Sequence, residues 1–333
     1  MKELSPRKKQ ILINAIDDYI KDASPITSGG VKDKHISNVS SATLRNELNA
    51  LEAMGYLKQL HTSGGRVPTT EGYRYYVSSL MEDFNVSPKQ LQMVQKVLSE
   101  RTGSLKDILS SVANLVSEAT NYPTVILTNG YDKLIIENIR IIPLLSGEAL
   151  VLFKTPGGII NNSIKAVATE QQCDEASIYL SRKFKGRTIG ELLSGDIIYA
   201  SLKEIESFRG IVENLIAGMK KYIGHKAIDI RSSKASNLLD ENEVQSVKET
   251  KKILNLLDNE EDLCEVIGES EEDLTVTLGD ENENLQGCAL IKAPIVINGN
   301  TVGQMAVLGP ERMDYSSIAS ALKIVMNELN KIK

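Results

Sequence analysis

Arg45, Asn46 and Asn49 lie on the side of a helical repeat opposite Leu44, Leu48 and Leu51, which recur at i, i+4 and i+7. Arginine and asparagine offer the paired donors and acceptors that match base edges in a DNA groove. Ser41 and Thr43 fall in the first turn of the same helix, where free N–H groups and the positive dipole end suit a phosphate. Ser40 stands where its hydroxyl can cap that turn, and Gly55, just after Met54, fits the left-handed position that ends many helices. The spacing therefore predicts a helix over about 41 to 54. Tyr56 to Leu60 then reads as a short strand, Ser63-Gly64-Gly65 as a turn, and Arg66-Val67 as a returning strand stopped by Pro68. The hairpin residues His61, Thr62, Ser63, Gly64, Gly65 and Arg66 would press against a sugar-phosphate edge. Taken alone, the polar residues of the helix also fit a solvated face. The serial order of capped helix, glycine stop and Gly-Gly hairpin is what points to a winged helix-turn-helix and to duplex DNA.

The elements that must hold this helix are also legible. Ser5-Pro6 is an N-cap followed by proline at the first helical position, and Leu12, Ile16, Tyr19 and Ile20 continue as a buried stripe to about Asp22. Arg7, Lys8 and Lys9 at its start are either phosphate contacts or a solvated cluster. A short second helix begins after Ser28 and ends near Lys34; it contains Gly29-Gly30, each glycine costing about 1 kcal/mol relative to alanine. Beyond the hairpin, Thr70 is expected to cap a helix carrying Tyr73, Tyr76, Val77 and Leu80. That spacing assigns the tyrosines to a core and not to base stacking.

The stretch VSSATLRNELNALEAMGYLKQLHTSGGRVPTTEGYRYYV resembles the DNA-binding module of the HrcA family, the bacterial repressors of heat-shock chaperone operons. The near-terminal VGQMAVLGPERMDY resembles that family's second signature, so the likeness spans essentially the whole chain. It implies an α+β multidomain fold: an N-terminal winged helix-turn-helix over 1–82, a linker over 83–87, a GAF-like α/β domain over 88–134 and 227–333, and an inserted α/β dimerisation domain over 135–226. It further implies a homodimer on an inverted-repeat, CIRCE-type operator, with activity dependent on the GroE chaperonin. Gly29-Gly30 departs from the family pattern, which usually has a basic residue and a better helix former after the serine.

Between the two signatures, a helical segment is predicted from Pro88 to Asn121 with a break near Thr102-Gly103-Ser104, followed by a buried strand at Thr124 to Thr128. Ile135 to Leu145, Ala149 to Thr155 and Ile159 to Val167 read as an antiparallel meander, separated by Ser146-Gly147-Glu148 and Pro156-Gly157-Gly158. Whether its first strand belongs to the GAF-like sheet or to the insert is left open by the pattern. Helices follow over about 170 to 224, then a weak strand from Ala227. An acidic stretch from Asp240 to Glu283 reads as a solvated helix face with loops. Strands at Leu274 to Leu278, Cys288 to Ile297 and Thr301 to Leu308 precede a last helix over 316–331. Within LGPERMDY, a tight strand-to-helix connection with a local Arg312–Asp314 pair is the expectation, in preference to a ligand contact.

The 333 residues, 41% apolar, suffice for two or three domains. Net charge is −6, but residues 1–75 hold 11 Lys and Arg against 8 Asp and Glu, leaving 27 against 36 for the rest. A mildly basic module on an acidic body suits DNA through local cation placement. His35, His61 and His225 are far apart and the three cysteines, Cys173, Cys264 and Cys288, lack metal spacing, so no metal, cofactor or enzymatic activity is expected. No apolar run is long enough to span a bilayer, which leads to the expectation of a cytoplasmic protein without membrane partners. The alternative function is a metabolite-sensing regulator with its effector site in the GAF-like domain.

Overall fold

The N-terminal segment folds around the leucines of its third helix. In the computed structural model, which describes residues 4–37, 39–60, 65–80, 88–99, 104–199, 202–224, 227–231, 247–270 and 272–331, helix α1 spans Pro6–Asp22, α2 Ser28–Lys34 and α3 Ser41–Ala53. Ser5 caps α1, with Pro6 at its first turn, and Ile11, Leu12, Ala15, Ile16 and Tyr19 form its buried face. Leu44, Leu48 and Leu51 of α3 are fully buried against it. The cap of α2 is Thr27, whose hydroxyl accepts from Gly30 N at 3.1 Å. Only Val31 of that helix is buried. Strands β1 (Leu57–Gln59) and β2 (Arg66–Pro68) pair antiparallel, and α4 (Thr70–Leu80) closes the unit. The α4 cap is Thr69, which accepts from Gly72 N at 3.1 Å; Thr70, expected in that role, turns its side chain elsewhere.

The remainder builds two separate sheets. Helices α5 (Pro88–Ser99) and α6 (Leu105–Thr120) lead into β3 (Thr124–Thr128). Ser104 and Asp107 form a reciprocal capping box at α6, and Asn121 ends it in the left-handed region. Strands β4 (Asn138–Pro143), β5 (Glu148–Thr155) and β6 (Gly158–Lys165) make a three-stranded antiparallel sheet, followed by α7 (Glu170–Phe184), α8 (Ile189–Ser194), α9 (Asp196–Tyr199) and α10 (Arg209–Gly224). The strand whose membership the sequence left open thus pairs with β5, in the smaller sheet; Ile135 lies outside it, in a lone bridge to Thr188. The outer edge of β4 is capped by α7: the backbone N–H groups of Ile141 and Ile139 donate to Ser177 Oγ and Ser181 Oγ, each at 2.9 Å. That satisfies an edge that would otherwise invite pairing with another chain.

The larger sheet has the order β7-β3-β10-β9-β8, antiparallel throughout, from β7 (Ala227–Arg231), β8 (Thr275–Leu278), β9 (Cys288–Ile297) and β10 (Asn300–Pro310). Almost every residue of β9 and β10 is buried, so both faces are covered. Helices α6 and α13 (Tyr315–Asn330) pack on one side with α5 against them; α11 (Val247–Asp258) and α12 (Glu260–Ile267) pack on the other. There Lys292 Nζ donates to the Ile267 carbonyl and Gln304 Nε2 to that of Ser270 at 2.7 Å. Burial pushes the Lys292 ammonium below its ordinary pKa, the usual cost of a cation held by backbone dipoles. Among the described residues no helix is long and apolar enough to cross a membrane.

Candidate nucleic-acid interface

Helix α3 begins where Ser40 accepts from Thr43 N at 3.1 Å, with the two hydroxyls 2.8 Å apart. Both residues are therefore engaged in the cap. Ser41, Arg45, Asn46 and Asn49 are exposed along one side, opposite the three buried leucines. Gly55 takes φ +90° and releases the chain into β1.

The same helix carries Glu47 and Glu52, which would repel a phosphate backbone if left bare. Lys8 of α1 meets Glu47 at 3.0 Å, and Arg66 of β2 meets Glu52 at 2.8 Å. Each flanking carboxylate is thus answered by a cation from a neighbouring element, and Arg45 remains on the outward stripe. Lys8, which the sequence left between phosphate contact and solvation, has a third role in bracing α3 against α1.

Two of the residues expected at the hairpin have partners inside the module. Arg66 was expected to face a sugar-phosphate edge. Its guanidinium instead joins Glu52 and Asn49 Oδ1, with only 11% of the side chain exposed, and its backbone exchanges two hydrogen bonds with Ile26. Attraction to a half-buried carboxylate two elements away outcompetes solvent. Gly65 likewise packs inside the module: a Cβ there would stand 2.6 Å from Pro25 Cβ and 2.9 Å from the Ile26 carbonyl oxygen. The glycine lets the wing strand pass under the α1–α2 loop. Asn49 keeps its exposed position but spends its carbonyl oxygen on Arg66. His61, Thr62, Ser63 and Gly64 lie outside the described residues.

Sequence reasoning missed a set of residues that join this module to the larger sheet. Thr70 Oγ1 donates to Glu311 Oε1 at 3.0 Å, and Arg74 pairs with Asp280 and Glu281 after β8 as well as with Glu71. Arg312 donates to the Ile20 carbonyl at 2.7 Å, reaching beyond the local pair expected with Asp314, which caps α13 by accepting from Ser317 N. The LGPERMDY segment does connect strand to helix, and it also seats the module. Tyr73 and Tyr76 are buried against Tyr315, ring centroids 6.2 and 6.4 Å away. Tyr76 also donates to Asp17 Oδ1 at 3.1 Å, and burial, with Asp17 nearby, pushes its phenol well above the ordinary value. Gly72, inside a predicted helix, marks a close backbone approach within the module itself. A Cβ there would lie 2.2 Å from the Tyr56 carbonyl oxygen.

No group of three or more potential metal ligands occurs among the described residues. A groove of about 720 Å³ runs between Asn129–Tyr131, β6 and α10, with Lys165, Lys221 and Tyr222 on its walls.

The family model described as the HrcA protein C terminal domain matches residues 106–319. Proteins named heat-inducible transcription repressor HrcA are similar over nearly the whole chain. That of Natranaerobius thermophilus is 31% identical, covering 98% of this chain and 96% of its own, and that of Symbiobacterium thermophilum is 28% identical, covering 99% and 98%. A solved structure described only as a hypothetical protein at 2.2 Å resolution superposes with a TM-score of 0.67 at 22% identity, covering 99% of this chain and 98% of that one, a likeness of fold. From the match over most of its length, the chain belongs to the HrcA family of heat-inducible transcription repressors.

Proposed function

We propose that the chain represses chaperone operons by binding an inverted-repeat, CIRCE-type operator as a homodimer, with α3 in the major groove of each half-site. The observation that carries this reading is the exposed stripe Ser41, Arg45, Asn46, Asn49, flanked by carboxylates that Lys8 and Arg66 neutralise. Two-fold pairing is supported by exposed apolar side chains around the smaller sheet: Ile142 on β4, Leu144 and Leu145 just after it, Val167 just after β6, and Ile178 on α7. A soluble monomer rarely leaves such a group uncovered. Dependence on a GroE-type chaperonin fits the slight α2, which buries one side chain and carries Gly29-Gly30.

Titrating a duplex inverted repeat at two salt concentrations tests the DNA reading. Specific binding that weakens as salt rises is expected, and equal affinity for random duplex would reject it. Mild heating should abolish operator binding and added chaperonin restore it. The groove between β6 and α10 favours a second reading, in which a small metabolite resets the repressor. A thermal-shift screen separates the two, because a true effector raises the melting temperature with its concentration.

A further inference from the structure

The DNA-binding module meets the larger sheet through three polar ties and an aromatic contact, and all of them leave α3 untouched. Thr70 and Arg74 of α4 reach Glu311 and the Asp280-Glu281 pair; Arg312 reaches back to the Ile20 carbonyl near the end of α1; Tyr73 and Tyr76 pack on Tyr315. The ties grip two different helices of the module, so they oppose rotation as well as separation. None engages Ser41, Arg45, Asn46 or Asn49, which stay exposed. The contact is therefore a mount for the recognition helix and not a cover over it.

We propose that Thr70, Arg74, Glu311 and Arg312 are positioning residues that fix the distance and angle between the two recognition helices of a dimer, and so select the spacing between operator half-sites. The inference rests on the dimeric DNA-binding reading above. Two modules on slack tethers engage half-sites at many separations, with an effective concentration that changes slowly with span. Two modules on rigid mounts accept one separation. Lengthening a spacer by about 2 bp turns one half-site by roughly 70° around the duplex, which a rigid dimer cannot follow. Arg74, Asp280 and Glu281 are partly exposed, so salt weakens this tie, whereas Thr70–Glu311 and Arg312–Ile20 are more enclosed.

The test uses the full chain and a set of duplexes carrying the inverted repeat with its natural spacer, the same repeat with spacers changed by about 2 and 5 bp, and a single half-site. The wild-type protein is expected to lose about tenfold or more in affinity on each altered spacer. The Thr70→Ala, Arg74→Ala double variant should bind the altered spacers within about threefold of the natural one, with affinity for the single half-site unchanged. Asp280→Asn with Glu281→Gln, which leaves the module's own sequence intact, should relax the spacing preference in the same direction. Circular dichroism melting of each variant establishes that it is folded. A wild-type preference that survives in both folded variants overturns the positioning role, as does a wild type indifferent to spacing. Failure of the wild type to prefer any inverted repeat over random duplex overturns the underlying dimeric reading as well, and is distinguishable because no variant enters that comparison.

Discussion

Two faces of the N-terminal module carry arginines of the same chemistry and opposite fate. Arg45 stands exposed on α3, whereas Arg74 on α4 is held by Glu71, Asp280 and Glu281, and Arg66 on β2 by Glu52 and Asn49. All three sit in a mildly basic segment, and composition does not separate them. What does is the arrival of carboxylates: two of those that claim Arg74 lie more than 200 residues further along the chain. The outward face leaves its arginine exposed, and the inward face consumes its cations in assembly.

The largest effect on this contrast is expected at the packing between α4 and Tyr56, just before β1. Gly72→Ala would place a Cβ 2.2 Å from the Tyr56 carbonyl oxygen, a backbone atom that cannot rotate away. Overpacking of this kind should cost about 3 kcal/mol and melt the module, inward and outward faces together. Thermal denaturation reads it directly; an unchanged melting temperature would mean that α4 does not approach Tyr56 so closely.

Next come the outward residues. Arg45→Ala and Asn46→Ala should leave the melting temperature alone and cost about 1–3 kcal/mol of discrimination per lost base contact. The measurement is the ratio of operator to random-duplex affinity. Intact specificity in Arg45→Ala would mean that another face of the module enters the groove.

Arg66→Ala sharpens the comparison from the other side. Removing the guanidinium leaves Glu52 half-buried without its cation and frees Asn49 Oδ1. A loss of about 1–2 kcal/mol in stability is expected, discounted for the partial exposure of Glu52. A variant of normal stability that binds all duplexes more weakly would return Arg66 to the phosphate backbone, as its position in the hairpin first suggested.

Local order was the legible part of this molecule. The caps at Ser5 and Ser40, the glycine stop at Gly55 and the leucine stripe of α3 depend on residues a few positions apart, and each stands where spacing put it. The meander β4-β5-β6 was readable because its turns carry their own residue chemistry. Long-range pairing was not readable. Nothing around Arg66 names Glu52 as its partner, and nothing in LGPERMDY names Ile20 or Thr70. Gly65 was read as a turn former when its function is to clear Pro25, a contact made only after α1 and α2 have folded.

The smallest effect bears on what heat undoes. At Gly29 a Cβ would meet only Thr27 Oγ1, at 4.0 Å, so alanine fits the space that glycine leaves empty. Gly29→Ala should therefore stabilise α2 by about 0.5–1 kcal/mol, by lowering the entropy of the unfolded chain and restoring helix propensity. Helix α2 lies between α1 and α3 in the chain and buries Val31, so the gain should reach α3 through packing. If the weak helix is where the repressor yields to heat, the temperature at which the proposed operator binding is lost will rise by a few degrees. If the melting curve moves and the loss of binding does not, heat acts at another place. The leading alternative is then the mount around Arg74 and Arg312, and the spacing assay repeated on a temperature series would reveal it.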